Sequence, residues 1–207
     1  MSDPETLGAI LAGGLARRMG GADKARIRIG ATTILKRVLA RLRPQCARLV
    51  LNANDAGRFV DAGLLVVADS VPDFPGPLAG ILAALDLAAA QTPEIAWVLS
   101  APSDCPFLPR DLVARLHRAR RDSGTMIACA ASSGRRHPVI ALWPVALRDD
   151  LRKVLAREGT RSVGEWSARY TLAVAEWQTV PVDPFFNVNT PNDVAEAARL
   201  AALHPEA

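Results

Sequence analysis

An α/β protein built on one doubly wound, mainly parallel sheet, with helices on both faces, is the fold class this sequence predicts. Three observations carry the prediction. Short apolar runs alternate with helix-period stretches along nearly the whole chain, the pattern of parallel strands joined by crossover helices. There are 207 residues, half of them hydrophobic, with no internal repeat and no linker, which suits a single domain with a full core. The polar and glycine-rich motifs fall just after predicted strands, where ligands bind in such sheets.

The elements follow in order. Residues 7–11 read as a buried first strand. After a glycine-rich loop, Ile34, Leu35, Val38, Leu39 and Leu42 form one apolar helical stripe with Thr33 as N-cap. Residues 48–51 and 64–68 read as the second and third strands. Pro77 sits at a first helical position and opens a helix whose buried face is Leu78, Ile81, Leu82 and Leu85. Residues 96–100 give a fourth strand, and Pro109 opens a helix carrying Leu112, Val113 and Leu116. Strands are expected at 126–131 and 138–142, a helix at 146–157, and a last helix at Thr190-Pro191-Asn192-Asp193, a capping-box pattern.

Composition narrows the function. A net charge of +4 is mild and the basic residues are scattered, while aromatics make up only 5%. That argues against a nucleic-acid surface and suits anionic small molecules. No apolar run approaches a membrane span, and the first six residues carry no signal pattern. Cys46, Cys105 and Cys129 lie far apart without a Cys-x-x-Cys pair, so neither a zinc site nor a disulfide framework is expected. These features predict a cytoplasmic protein.

The loop at residues 11–25, Leu-Ala-Gly-Gly-Leu-Ala-Arg-Arg-Met-Gly-Gly-Ala-Asp-Lys-Ala, is the richest signal. Glycines let backbone N–H groups approach an anion, and Arg17, Arg18 and Lys24 supply charge to balance phosphates. It lacks the Gly-Lys-Ser/Thr of a Walker A loop, and its spacing is not Gly-x-Gly-x-x-Gly. The stretch resembles instead the nucleotidyltransferase signature, Leu-Ala-Gly/Ala-Gly-x-x-x-Arg-Met-Gly followed by Lys. Within that family it is similar to the molybdenum cofactor guanylyltransferases, and the likeness runs from residue 7 to residue 193.

The remaining motifs have a chemistry of their own beside that resemblance. Asp104 follows the fourth strand in Asp-Cys-Pro. A carboxylate among phosphates calls for a cation between them, and Mg²⁺ takes one or two carboxylates plus phosphate oxygens. Asn187 and Asn189, two residues apart in an extended segment, share a face and offer neutral oxygen donors. Asn52 and Asn54 follow the second strand and Asp69 the third. An aspartate there can accept from guanine N1–H and its 2-amino group. His137, a lone histidine before Pro138, is given no catalytic role.

The resemblance implies a Rossmann-like nucleotidyltransferase fold, with the nucleotide on about residues 1–110 and the acceptor on about 111–207. It implies a nucleotide site of Leu11, Ala12, Gly13, Gly14, Lys24, Asn52, Asp69 and Asp104. Arg17, Arg18, Lys24 and Asp104 would be catalytic, with Asp104 on Mg²⁺. Asn187, Asn189 and Arg161 would serve the acceptor or the metal shell. Residues 75–80, Pro-Gly-Pro-Leu-Ala-Gly, match a backbone wall of the family. The implied reaction transfers GMP from Mg-GTP to the terminal phosphate of molybdopterin or molybdenum cofactor. Transient contacts with cofactor-inserting proteins or molybdoenzyme chaperones would accompany it, without nucleic acid or membrane. Relatives that use CTP with the same acceptor, or sugar 1-phosphates, usually read Leu-Ala-Ala-Gly where this chain has Leu-Ala-Gly-Gly. They remain alternatives, as does a nucleotide-binding module without catalysis.

Overall fold

The structure is a computed structural model that describes residues 3–12, 27–71, 76–157 and 162–206. Its centre is β1 (Thr6–Leu11), buried over nearly its whole length. On one side β1 pairs in parallel with β4 (Arg48–Asn52), which pairs in parallel with β5 (Leu65–Val67). On the other side it pairs in parallel with β6 (Trp97–Pro102). Next come β8 (Arg135–Pro144), antiparallel to both neighbours, then β7 (Ile127–Ser132) and β9 (Leu172–Trp177). The sheet order is β5-β4-β1-β6-β8-β7-β9.

The chain thus builds outward from β1 to β5, then crosses back to lay β6 on the opposite side of β1. That reversal opens a crevice beyond the carboxyl ends of β1 and β6, where ligands bind in open α/β sheets. Helices cover both faces because alternate residues of each strand point to opposite sides. Ile10 and Leu51 join one core with α1 (Ile34–Leu42), α3 (Leu112–Asp122) and α6 (Pro191–Leu203). Leu7, Ala9 and Val50 join a second core with α2 (Pro77–Gln91), α4 (Arg148–Arg157) and α5 (Val163–Ser167).

Local sequence explains most boundaries. The Thr33 side chain accepts from the Lys36 N–H at 3.2 Å and starts α1. Pro77 stands in the first turn of α2, whose predicted apolar face is fully buried. The Thr190–Asp193 capping box is formed at the start of α6.

Other boundaries depart from the sequence reading. The helix expected from Pro109 begins at Leu112, because Asp111 is held in a non-helical conformation while its carboxylate accepts from Trp177 Nε1 at 3.0 Å. The stretch expected as one helix at 146–157 is a 3-10 turn, Val145–Leu147, running into α4. Five elements among the described residues carried no readable period. They are the hairpin of β2 (Arg28–Ile29) and β3 (Thr32–Thr33), a 3-10 segment at Ala56–Ala62, the single-turn α5, and β9. β9 does alternate, but alanines at two of its buried positions mute the contrast.

Candidate active site

The crevice is assembled by backbone hydrogen bonds that tie strand ends together. The Ala12 N–H donates to the Asn52 carbonyl at 2.9 Å, and the Ser103 N–H to the Leu11 carbonyl at 3.1 Å. The segment that starts the glycine-rich loop is therefore locked between the exits of β4 and β6. Gly13, Gly14, Arg17, Arg18, Lys24 and Arg161 lie outside the described residues, as does Pro75 of the Pro-Gly-Pro run.

Asp104 follows β6 and is half-buried, with its backbone anchored on the far side too. Its carbonyl accepts from the Val188 N–H at 3.0 Å, and the neighbouring Cys105 thiol donates to the Phe185 carbonyl at 3.8 Å. Val188 is fully buried while Asn187 is exposed and Asn189 half-buried. The two asparagines thus flank an anchor residue that seats their segment against Asp104, as the alternation of an extended chain requires. The Asp193 carboxylate accepts from the N–H groups of Asn189 and Thr190, at 2.8 and 2.7 Å. The α6 cap therefore holds the asparagine segment from its other end.

On the opposite side of the crevice, Asn52 and Asp69 meet. Asn52 donates to Asp69 Oδ1 at 2.9 Å and to the Val67 carbonyl at 3.1 Å. Asn54 donates to Asp69 Oδ2 at 2.8 Å and accepts from the Asp69 N–H at 2.9 Å. The first turn of α2 presses on this cluster. A Cβ on Gly80 would stand 2.1 Å from Asn52 Oδ1 and 3.0 Å from Leu11 Cδ2, so only glycine lets the helix approach so closely.

Nucleophilic side-chain chemistry finds little support here. Burial pushes the Cys46 thiol up to about 12 and Cys129 up to about 11. Cys105 is raised well above the ordinary thiol value, by burial first and then by the nearby Asp104 and Asp183 charges. These thiols stay protonated at neutral pH. His137 bonds Ser132 Oγ through Nε2 at 2.9 Å and packs on the Phe185 ring at 4.8 Å. Burial lowers its pKa, so it sits there neutral.

The donor set at Asp104 fits a hard cation. Among the described residues no three His, Cys, Asp or Glu side chains converge. One carboxylate, with the 187–189 segment seated on its backbone carbonyl, offers the oxygen chemistry that hard divalent cations take.

Sequence reasoning had no signal for Phe185 and Val188, which are apolar anchors recognisable only through their contacts. Asn54 was visible as one of two asparagines after the predicted second strand, but its bond to Asp69 was not.

A doubly wound sheet with a polar cluster beyond its carboxyl edge defines an α/β protein whose ligand crevice lies there. The family model described as "MobA-like NTP transferase domain" matches residues 8–174. A molybdenum cofactor guanylyltransferase of Nitrobacter hamburgensis is 60% identical over 201 residues, covering 97% of this chain and 96% of that protein. Among solved structures, molybdopterin-guanine dinucleotide biosynthesis protein A of Archaeoglobus fulgidus aligns with a TM-score of 0.73 at 21% identity, covering 95% of this chain and 99% of the other. Rv0371c of Mycobacterium tuberculosis in complex with manganese aligns with a TM-score of 0.68 at 20% identity, over 94% and 98%. The chain belongs to the MobA-like NTP transferases, and within them to the molybdenum cofactor guanylyltransferases: it is a nucleotidyltransferase. Among the described residues no helix is long and apolar enough to cross a membrane.

Proposed function

We propose that the protein transfers GMP from Mg²⁺-bound GTP to the terminal phosphate of molybdopterin or molybdenum cofactor in the cytoplasm, releasing pyrophosphate. The single observation that carries this reading is the convergence at the sheet's carboxyl edge. Leu11–Ala12, Asn52 with Asp69, and Asp104 with the 187–189 segment are tied there by backbone and amide hydrogen bonds. The first 110 residues or so would hold the nucleotide, and the remainder the acceptor.

In the reaction an acceptor phosphate oxygen forms a bond to the α-phosphorus while the α–β bridging bond breaks. Pyrophosphate leaves with the electron pair. The nucleophile is already anionic near neutral pH, so no general base is needed, in keeping with the protonated thiols and the half-buried His137. The protein's contribution is positioning and charge neutralisation. Loop amides at Gly13 and Gly14, with Arg17 and Lys24, would hold the triphosphate, and Arg18 would steady the leaving group or incoming phosphate. Asp104 would hold Mg²⁺, with Asn187 and Asn189 as further oxygen donors. When bound, the ion supplies positive charge against the phosphate oxygens. Asp69 would accept from the guanine edge, and Arg161 would meet the acceptor. Contacts with cofactor-inserting proteins or molybdoenzyme chaperones would carry the product onward.

The test is pyrophosphate release with Mg²⁺ and intact molybdenum cofactor, comparing GTP, CTP and ATP. Release with GTP alone is expected; release with CTP instead would reassign the nucleotide. Lys24→Ala and Asp104→Ala should each reduce turnover roughly 100- to 1000-fold, as loss of one preorganised charge contact does, with the fold intact by circular dichroism. Wild-type turnover in either folded variant would defeat the assignment.

A further inference from the structure

The asparagines at and just past the end of β4, Asn52 and Asn54, differ in kind, and we infer that Asn54 is a positioning residue for base selection, acting by fixing the Asp69 carboxylate. The inference rests on the reading that Asp69 meets the nucleotide base.

Asn52 is only 4% exposed. Both hydrogens of its amide are committed, one to the Val67 carbonyl and one to Asp69 Oδ1. Gly80 backs its oxygen. Asn52 therefore has no donor left for a ligand and supports Asp69 from inside the fold.

Asn54 stands on the exposed side. Its amide closes a reciprocal pair with one residue, donating to Asp69 Oδ2 and accepting from the Asp69 N–H. The carboxylate is thereby held at both oxygens, by the last residue of β4 and by the asparagine two residues beyond it, while Asp69 itself stays part-exposed at the crevice. Each carboxylate oxygen keeps acceptor capacity beyond the one bond it receives. A carboxylate of fixed orientation with two adjacent acceptors matches a base edge with two adjacent N–H donors. Guanine presents that pair, whereas adenine and cytosine do not. Without Asn54 the Asp69 side chain regains rotamer freedom, and each binding event must order it again.

Competition binding of GTP, xanthosine triphosphate and ATP in Mg²⁺ buffer tests this without any acceptor. Asn54→Ala should weaken GTP roughly tenfold, the usual scale for a hydrogen bond to a charged group. ATP should change by less than about twofold, because it shares only the phosphate and ribose contacts. Asn54→Asp keeps the shape but sets a carboxylate against a carboxylate, and should weaken GTP further than the alanine. Asp69→Asn should move preference from GTP toward xanthosine triphosphate, whose 2-oxo group needs a donor. Circular dichroism of each variant establishes that it is folded.

A parallel loss of GTP and ATP affinity in a folded Asn54→Ala protein would mean a structural role and overturn the inference. If Asp69→Asn shifts base preference but Asn54→Ala keeps the wild-type GTP-to-ATP ratio, Asn54 alone loses its role. If Asp69→Asn leaves base preference untouched, Asp69 does not read the base and both readings fall together.

Discussion

Gly80 illustrates how single atoms decide this site. It lies in the first turn of α2, where alanine would ordinarily favour the helix. Here an added methyl would meet Asn52 Oδ1 at 2.1 Å and Asn52 Cγ at 2.7 Å. The amide is pinned by its bonds to Val67 and Asp69 and has little room to turn. Gly80→Ala should therefore lower stability by about 1–3 kcal/mol, as overpacking does, and weaken GTP binding in the same protein. Thermal melting and nucleotide titration measure the two effects; an unchanged melt would show that Asn52 can move aside. Asp104 was legible as a residue because a carboxylate has few uses after a buried strand, whereas Asn187 and Asn189 stood out only through the family resemblance. Their joining through Val188 was not legible, since a valine announces only burial.

At the level of elements, the α6 cap is both a helix start and a brace for the site. Thr190 Oγ1 accepts from the Asp193 N–H at 3.2 Å, while the Asp193 carboxylate receives the Asn189 and Thr190 N–H groups. Thr190→Ala should cost about 1 kcal/mol, the usual size of an N-cap, and leave turnover close to wild type. Asp193→Ala removes the acceptor for the Asn189 backbone as well. It should lower turnover roughly tenfold beyond its effect on stability, because small misplacements at a reacting centre are amplified. Urea unfolding and pyrophosphate release separate the two contributions, and equal turnover in both variants would make the cap structural only. The apolar stripe of α1, the Pro77 start of α2 and the apolar runs of β1, β4 and β6 were readable from local sequence alone. The short hairpin, α5 and β9 were not, because they are specified by what they pack against.

For the whole molecule, one group through which pH acts is His117, far from the crevice in sequence and fully buried. Arg120 Nε donates to its Nδ1 at 3.1 Å, so the proton sits on Nε2 and points to Thr6 Oγ1 at 2.9 Å. Thr6 in turn donates to the Pro4 carbonyl at 3.1 Å, joining α3 to the central strand and the chain's start. Burial, then the Arg120 charge, lower the His117 pKa from 6.5 to about 4, with Asp3 opposing and Arg121 assisting. The folded value lies below the unfolded one. The stabilisation is therefore complete above about pH 6.5 and is lost as pH falls toward about 4. Its full size is about 3 kcal/mol. Urea unfolding between pH 7.5 and 4.5 should show that decline, and His117→Gln should flatten it; equal slopes in the two proteins would remove His117 as the source.

The sequence by itself determined the α/β class, the parallel half of the sheet, the capped helices and the residue types gathered at the crevice. It could do so because burial period, capping and phosphate chemistry are written in local spacing. Tertiary structure alone decided the strand order, the antiparallel insertion of β8 and the meeting of Asn52 and Asn54 with Asp69. It also decided the seating of residues 187–189 against Asp104. Those facts depend on which segments share hydrogen bonds and cores across gaps that run from 15 residues between Asn54 and Asp69 upward, and no local pattern encodes such a partner.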